Sequence, residues 1–172
     1  MRNPTPSRKA RVSAGAQPSS RVSQDLRERY RQHFPRVFAY VYGRIRDSRA
    51  TEALTSEVFS KAFAKLDALA DEAAFEIRLF TIARDLLTSH CQGQSPREVT
   101  PEDELLQRPD LARLLDHLRR LQLREQDIIA LKFDAQLANA QIAQVMQLSE
   151  GRVGVILYRT LRKLRKALEQ ES

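Results

Sequence analysis

The sequence predicts an all-α protein made of two small helical domains joined by a flexible linker. Apolar residues recur every three or four positions through most of the chain, which is the spacing of one helix face. Composition agrees, because only 5 of the 172 residues are Gly, Trp is absent, and Leu, Ala, Arg and Glu dominate. In the stretch Asn139–Lys166, a short helix, a turn and a longer helix give the outline of a helix-turn-helix.

The chain begins with a basic segment at positions 1–21 that is rich in Pro, Ser, Gly and Ala and carries no acidic residue. This composition is typical of a disordered tail. From Ser23 the pattern becomes periodic, and we expect Pro35 to kink or split the resulting long helix near Phe34. The apolar face of that helix consists of Leu26, Tyr30, Phe34, Val37, Val41 and Ile45.

Two further helices complete a first domain at positions 22–91. Asp47 and Ser48 offer N-caps for a second helix, whose predicted buried residues are Leu54, Val58, Ala62, Leu66 and Leu69. The stretch Asp67–Ala74 is predicted to be a loop or a frayed helix end. In the third helix the residues expected to face inward are Phe75, Leu79, Ile82, Leu86 and His90, and those expected to face outward are Arg78, Thr81, Arg84, Asp85 and Thr88.

Periodicity is lost after Gln92, and positions 92–109 are predicted to form an interdomain linker because they gather Gly, Pro, Ser and acidic residues. A second domain at positions 110–169 follows. It begins with the apolar residues Leu111, Leu114, Leu115, Leu118 and Leu121. A further helix is expected at Arg124–Phe133, with a turn at Asp134–Ala138 leading into the helix-turn-helix.

The last helix is predicted to begin after Ser149, which stands at the N-cap position, with Glu150 in the first turn. Its apolar stripe consists of Val153, Leu157, Leu161, Leu164 and Leu168. The basic residues that lie off this stripe, a pattern suited to DNA phosphates and base edges, are Arg152, Arg159, Arg162, Lys163, Arg165 and Lys166. A solvated basic helix with no ligand is the alternative interpretation.

The net charge of +7 indicates a polyanionic partner, either nucleic acid or an anionic membrane surface. No apolar run has the length of a spanning helix and no signal peptide is evident, so we expect a cytoplasmic protein without membrane insertion. The single Cys91 excludes an internal disulfide and a Cys-rich zinc site. Without a Gly-rich phosphate loop, a nucleophile elbow or metal-ligand spacing, we expect no enzyme, no cofactor and no metal.

Three segments, Leu54–Phe59, Leu79–Leu86, and Ile142–Ala143 with Leu148–Gly151, occur in an order and spacing that resemble a known family. Over positions 22–169 the chain resembles the extracytoplasmic-function sigma factors of bacterial RNA polymerase. The resemblance implies a sigma region 2-like domain, a sigma region 4-like domain, and core RNA polymerase and promoter DNA as partners. It implies no small-molecule substrate.

The resemblance also assigns residues to three surfaces. Those implied to bind the clamp helices of the largest polymerase subunit are Glu52, Ser56, Glu57 and Lys61. Those implied to read and open the minus-10 element are Arg78, Thr81, Arg84, Asp85 and Thr88. Those implied to contact the minus-35 element in the major groove are Ser149, Arg152, Val155, Ile156, Arg159, Arg162 and Lys163.

The chain departs from the residues usual in the family at several of these positions. Ala53 and Ser56 change the polymerase surface, and Asp85 places a carboxylate where it would repel phosphate unless it accepts from a cytosine amine or pairs with a neighbouring Arg. Apolar Val155 and Ile156 cannot form bidentate hydrogen bonds to bases, so we expect a divergent or weakened minus-35 interaction. Two alternatives remain: a helix-turn-helix transcriptional regulator, or a sigma-like interaction module that an anti-sigma factor or polymerase holds without promoter opening.

Overall fold

A computed structural model describes residues 18–64, 71–92 and 108–170, and within these ranges it contains only helices and connecting turns. The prediction of an all-α fold is confirmed. The helices are α1 (Pro18–Ile45), α2 (Ser48–Phe63), α3 (Glu72–Gln92), α4 (Pro109–Arg119), α5 (Leu123–Phe133), α6 (Asn139–Met146) and α7 (Glu150–Gln170). None of the helices in the described ranges is long and apolar enough to cross a membrane.

Helix α1 runs without a break through Pro35, so the predicted split near Phe34 is wrong. Aromatic packing across Pro35 supports the continuous helix, because the rings of Phe34 and Phe38 lie 5.7 Å apart between centroids. The Phe59 ring lies 4.7 Å from that of Tyr30 and 6.5 Å from that of Phe34, measured between ring centroids. The helix also begins earlier than expected, so residues 18–21 of the predicted tail are helical, and residues 1–17 lie outside the described part of the chain.

Helix α2 begins as predicted, because the Asp47 side chain accepts a hydrogen bond from the Ala50 N–H at 2.9 Å. It ends at Phe63, and the predicted buried residues Leu66 and Leu69 lie outside the described residues. Its buried residues are Thr51, Thr55, Val58, Phe59 and Ala62.

Helix α3 begins at Glu72, so the last three residues of the predicted loop Asp67–Ala74 are helical. Its buried face also differs from the prediction. Ile82 and Leu86 are only half-buried, whereas the fully or almost fully buried residues are Phe75, Leu79, Phe80, Ala83 and Leu87. This shift has a physical reason: α3 packs against α6 as well as α2, so two of its faces are covered.

The two units share one continuous core. Val37 and Tyr40 of α1 and Phe80 of α3 belong to the same cluster as Ile128 of α5 and Ile142 of α6. Both ends of the predicted linker 92–109 are helical, because α3 reaches Gln92 and α4 starts at Pro109, and residues 93–107 lie outside the described ranges. The described helices of the two units therefore form a single packed body.

Candidate nucleic-acid interface

Helices α6 and α7 form the helix-turn-helix that the sequence predicts. The turn is possible because Gln147 adopts the left-handed conformation, with φ of 54°, and the Leu148 N–H donates to the Ala143 carbonyl at 2.8 Å. Ser149 is an N-cap, since its hydroxyl accepts from the Arg152 N–H at 3.3 Å. Local side chains thus set where α7 begins.

Packing then fixes the orientation of α7 about its own axis. Val153, Leu157 and Leu164 are buried as predicted, whereas Leu161 is 42% exposed and Thr160 takes its place in the core. The correction follows from helical geometry, because positions 153, 157, 160 and 164 lie on a narrower arc than a stripe that includes 161. Glu125 of α5 accepts from the Thr160 hydroxyl at 3.5 Å and from the Lys163 ammonium at 3.4 Å.

The opposite face of α7 is exposed and cationic. Six of the seven residues predicted to contact the minus-35 element are exposed, namely Ser149, Arg152, Val155, Arg159, Arg162 and Lys163. Ile156 differs, because it is half-buried and packs against the core. No carboxylate of the described residues pairs with Arg152, Arg159 or Arg162. These guanidinium groups can therefore bind phosphate or base edges without first breaking an ion pair.

Tyr158 belongs to this exposed face, although the sequence reasoning did not select it. Its side chain is 67% exposed, and it lies three residues after Val155, which is 49% exposed, and four before Arg162. That spacing, which places the three on one side of the helix, is the signal that could have identified it. Together they give a surface suited to thymine methyl groups and phosphates.

The residues predicted to contact the minus-10 element are less accessible. Asp85 and Thr88 are exposed, and Thr81 is half-buried with its hydroxyl bonded to the Ile77 carbonyl at 2.7 Å. Arg84, expected to face outward, instead faces the second unit, where its Nε lies 3.7 Å from the Asp127 carboxylate. Arg78 is half-buried, and among the described residues its Nε has no hydrogen-bond partner. The structure thus gathers these five residues on one helix but not on one free surface.

The four residues predicted to bind polymerase are all exposed on α2. Glu57 and Lys61 form an ion pair at 2.8 Å, one helical turn apart. Glu52 and Ser56, also one turn apart, lie at the other edge of the exposed half of the helix. This exposed half lies opposite the buried residues of α2, so a partner protein can reach it without unfolding the unit. The surface is polar and of mixed charge.

Buried polar groups lie beneath the contact between the units. Burial, reinforced by the charge of Asp127, raises the pKa of the Tyr40 hydroxyl. Burial also raises the pKa of the Asp134 carboxyl, and Arg46 partly opposes this effect. Sequence reasoning identified none of these groups, because their environment is created by contacts between distant segments.

Fold and surface together define a class: a two-unit helical protein whose second unit contains a helix-turn-helix with an exposed, cationic second helix. Residues 117–166 match the family Sigma-70, region 4. The ECF RNA polymerase sigma factor BldN of Streptomyces coelicolor is 32% identical over 158 residues, covering 83% of this chain. The chain spans only 60% of that relative's length.

Two solved structures share the fold. The sigma factor RpoE, in complex with the anti-sigma factor NepR from Bartonella quintana, matches with a TM-score of 0.70 at 18% identity, covering 85% of this chain and 98% of that one. CnrH, in complex with the cytosolic domain of CnrY, matches with a TM-score of 0.71 at 18% identity, covering 87% and 91%. The predicted resemblance to extracytoplasmic-function sigma factors is confirmed by the sequence match to BldN, and the two solved structures share the fold.

Proposed function

We propose that the chain is a sigma factor that binds core RNA polymerase and directs promoter recognition and transcription initiation. One observation carries the proposal: the segment that matches Sigma-70 region 4 folds as a helix-turn-helix whose second helix exposes arginines that pair with no carboxylate of the described residues. Its role is non-enzymatic, like that of the sigma factors it resembles. Such a protein acts where the polymerase and the chromosome are, in the cytoplasm.

In this proposal the exposed side of α7 contacts the minus-35 element. Arg152, at the start of the helix, lies where a recognition helix contacts base edges, and Arg159 and Arg162 follow where phosphates are contacted. Val155 and Tyr158 add apolar contact, which favours sites rich in thymine methyl groups. We infer that the minus-35 motif of this protein depends more on shape and methyl contacts than on bidentate hydrogen bonds.

The first unit supplies the other contacts. The exposed side of α2, with Glu52, Ser56, Glu57 and Lys61, binds the polymerase clamp, and α3 contacts the minus-10 element. Because the matched RpoE structure is a complex with an anti-sigma factor, a protein of that kind is a further proposed partner.

Runoff transcription from a randomised promoter library, with core polymerase and with or without the chain, tests the proposal. Transcripts that share a two-part upstream motif only when the chain is present support it. If core polymerase is captured but no start sites appear, the protein is a sigma-like interaction module. If neither occurs but the chain binds specific duplex DNA, it is a helix-turn-helix regulator.

Polymerase capture has its own matched control. Replacing Glu52 and Glu57 of α2 with Ala is expected to weaken retention of the chain by immobilised core polymerase. Glu28→Ala removes an exposed carboxylate of α1 that pairs with Arg31 at 3.7 Å, and it is expected to leave retention unchanged. Equal losses in both variants would place the polymerase contact elsewhere.

A further inference from the structure

Polar contacts from α5 and α7 meet on the carboxylate of Glu125. This residue lies in the first turn of α5, where it accepts from the Gln122 N–H at 2.9 Å and so caps its own helix. The same side chain accepts from the Thr160 hydroxyl at 3.5 Å and pairs with the Lys163 ammonium at 3.4 Å. Glu125 therefore binds the beginning of one helix and the middle of the other.

These contacts are largely shielded from water. The Glu125 side chain is 20% exposed, and Thr160 is fully buried one turn from the apolar residues Leu157 and Leu164. A buried hydroxyl is costly unless it has a hydrogen-bond partner. The Thr160 hydroxyl therefore favours the rotation of α7 that directs it towards Glu125.

A directional contact of this kind matters because α7 otherwise rests on apolar packing. The hydrophobic effect is non-directional, whereas a hydrogen bond requires its donor and acceptor within a narrow range of distance and angle. On a helix surface about 5–6 Å from the axis, a rotation of about 10° moves a side-chain tip by about 1 Å. A shift of that size is enough to loosen a hydrogen bond to a base edge.

The exposed arginines of α7 belong to the same rigid helix. Arg159 directly precedes Thr160, and Arg152 lies about two turns before it. Both arginines are exposed, and neither pairs with a carboxylate of the described residues. Any rotation of α7 therefore moves both guanidinium groups relative to the bases and phosphates of a bound duplex.

We propose that Glu125 is a positioning residue for DNA recognition, which by binding Thr160 sets the rotation of α7 at which its exposed arginines meet the duplex. The proposal rests on the proposed function, in which the exposed side of α7 contacts the minus-35 element. The same carboxylate has a second role, because it holds Lys163 and reduces the attraction of that ammonium group to phosphate. Glu125 thus favours sequence-dependent over sequence-independent binding.

The test uses a duplex that the wild-type chain selects from a random library, and a shuffled duplex of the same composition. The ratio of the two affinities measures sequence recognition, and the salt dependence of binding measures phosphate contacts. A variant that is merely less stable binds both duplexes more weakly by the same factor, because both require the folded chain. The affinity ratio therefore separates positioning from stability.

Thr160→Val removes the hydroxyl and keeps a side chain of similar size, so we expect it to lower the affinity ratio about five-fold. Thr160→Ala also lacks the hydroxyl and is expected to lower the ratio to a similar extent. Thr160→Ser retains the hydroxyl and should retain the ratio. The matched control is Thr55→Val in α2, because Thr55 is buried and its hydroxyl has no hydrogen-bond partner among the described residues. It is expected to leave the ratio unchanged.

Glu125→Gln tests the second role of the carboxylate. It removes the charge that holds Lys163 but keeps an oxygen that can accept from the Gln122 N–H. We expect binding of the shuffled duplex to strengthen about three-fold at low salt, with a salt dependence larger by up to one counterion. Asp116→Asn removes the same charge from α4, where Asp116 pairs with Arg120 at 2.6 Å, and its effect is expected to be smaller.

Each outcome decides a separate point. An unchanged affinity ratio in Thr160→Val and Thr160→Ala would overturn the positioning role, and equal effects of Glu125→Gln and Asp116→Asn would overturn the second role. A wild-type chain that selects no sequence would overturn the proposed minus-35 contact and this proposal with it. If the chain selects a motif but starts no transcripts with core polymerase, the proposed sigma function fails, and the same variants still decide the role of Glu125.

Discussion

Replacing Tyr40 with Phe is expected to stabilise the protein, although Tyr40 is one of its largest fully buried side chains. Among the described residues no hydrogen-bond partner lies within reach of its hydroxyl. A buried hydroxyl without a partner has lost its hydrogen bonds to water and gained nothing in return.

The magnitude follows from the cost of an unsatisfied buried polar group, which is about 1–3 kcal/mol. Removing the hydroxyl oxygen also removes its packing contacts, which lowers the free energy of unfolding by about 0.5–1 kcal/mol. A net gain of about 1 kcal/mol in the free energy of unfolding corresponds to an increase of about 3 °C in the melting temperature of a chain of this size. The ring remains in place, so its edge-on contact with Phe80, at 5.8 Å between centroids, is retained.

Thermal and urea unfolding followed by circular dichroism provide the measurement. Tyr158→Phe is the matched control, because the Tyr158 side chain is 67% exposed and its hydroxyl is accessible to water. It is expected to change stability by less than about 0.5 kcal/mol. A loss of about 1 kcal/mol or more in Tyr40→Phe, the worth of one hydrogen bond, would refute the reasoning by showing that the hydroxyl is bonded in solution.

Three further predictions concern charge, backbone and DNA. Because burial raises the pKa of Asp134, the folded state binds its proton more tightly than the unfolded state, and the stability this confers is lost as pH rises from about 4. Asp134→Asn should flatten that loss in unfolding experiments across pH, and an unchanged slope would contradict it. Gly154→Ala should stabilise α7 by about 1 kcal/mol, since apart from the adjacent residues and the backbone of α7 itself no atom of the described residues lies within 4 Å of the added Cβ, and a lower melting temperature would contradict this. Arg159→Ala should reduce the salt dependence of duplex binding by about one counterion. Arg165→Ala should reduce it by less, because Arg165 already pairs with Glu169 at 2.7 Å.

Much of the fold could be predicted from the sequence because local signals determine it. The helical period of the apolar residues places the described helices close to their observed bounds. The N-caps Asp47, before α2, and Ser149, before α7, are recognised from residue type alone, and both accept the expected backbone hydrogen bond. Such signals act within a few residues, so they do not depend on how the helices pack.

Pro35 shows where local reasoning fails. A proline inside a helix costs about 3 kcal/mol when it stands alone, which favours a break. In α1 the Phe34 ring contacts that of Phe38 across the proline position and that of Phe59 in α2, and packing of this kind outweighs a local preference. The contact with Phe59 joins two helices, so it cannot be inferred from the residues next to Pro35.

The candidate site also has a part that could be predicted from local sequence and a part that could not. The exposed arginines of α7 could be predicted because one helix with a clear apolar stripe fixes its own polar face. A stripe drawn through apolar residues alone wrongly includes Leu161 and overlooks Thr160, whose hydroxyl is bonded to Glu125 of another helix. On α3 the prediction is less successful, because a helix covered on two faces has no single polar side.

The contact at Asp127 changes how the charge of the whole chain bears on DNA binding. Arg44 and Asp127 are 83 positions apart, so no pattern within one helix relates them. The net charge of +7 counts every arginine equally, whether or not a carboxylate already pairs with it. In the folded chain Arg44 and Arg84 share a carboxylate of the second unit, whereas Arg152 and Arg159 of α7 pair with no carboxylate of the described residues. In the proposed function, the attraction of the chain for DNA is therefore concentrated on the exposed face of α7.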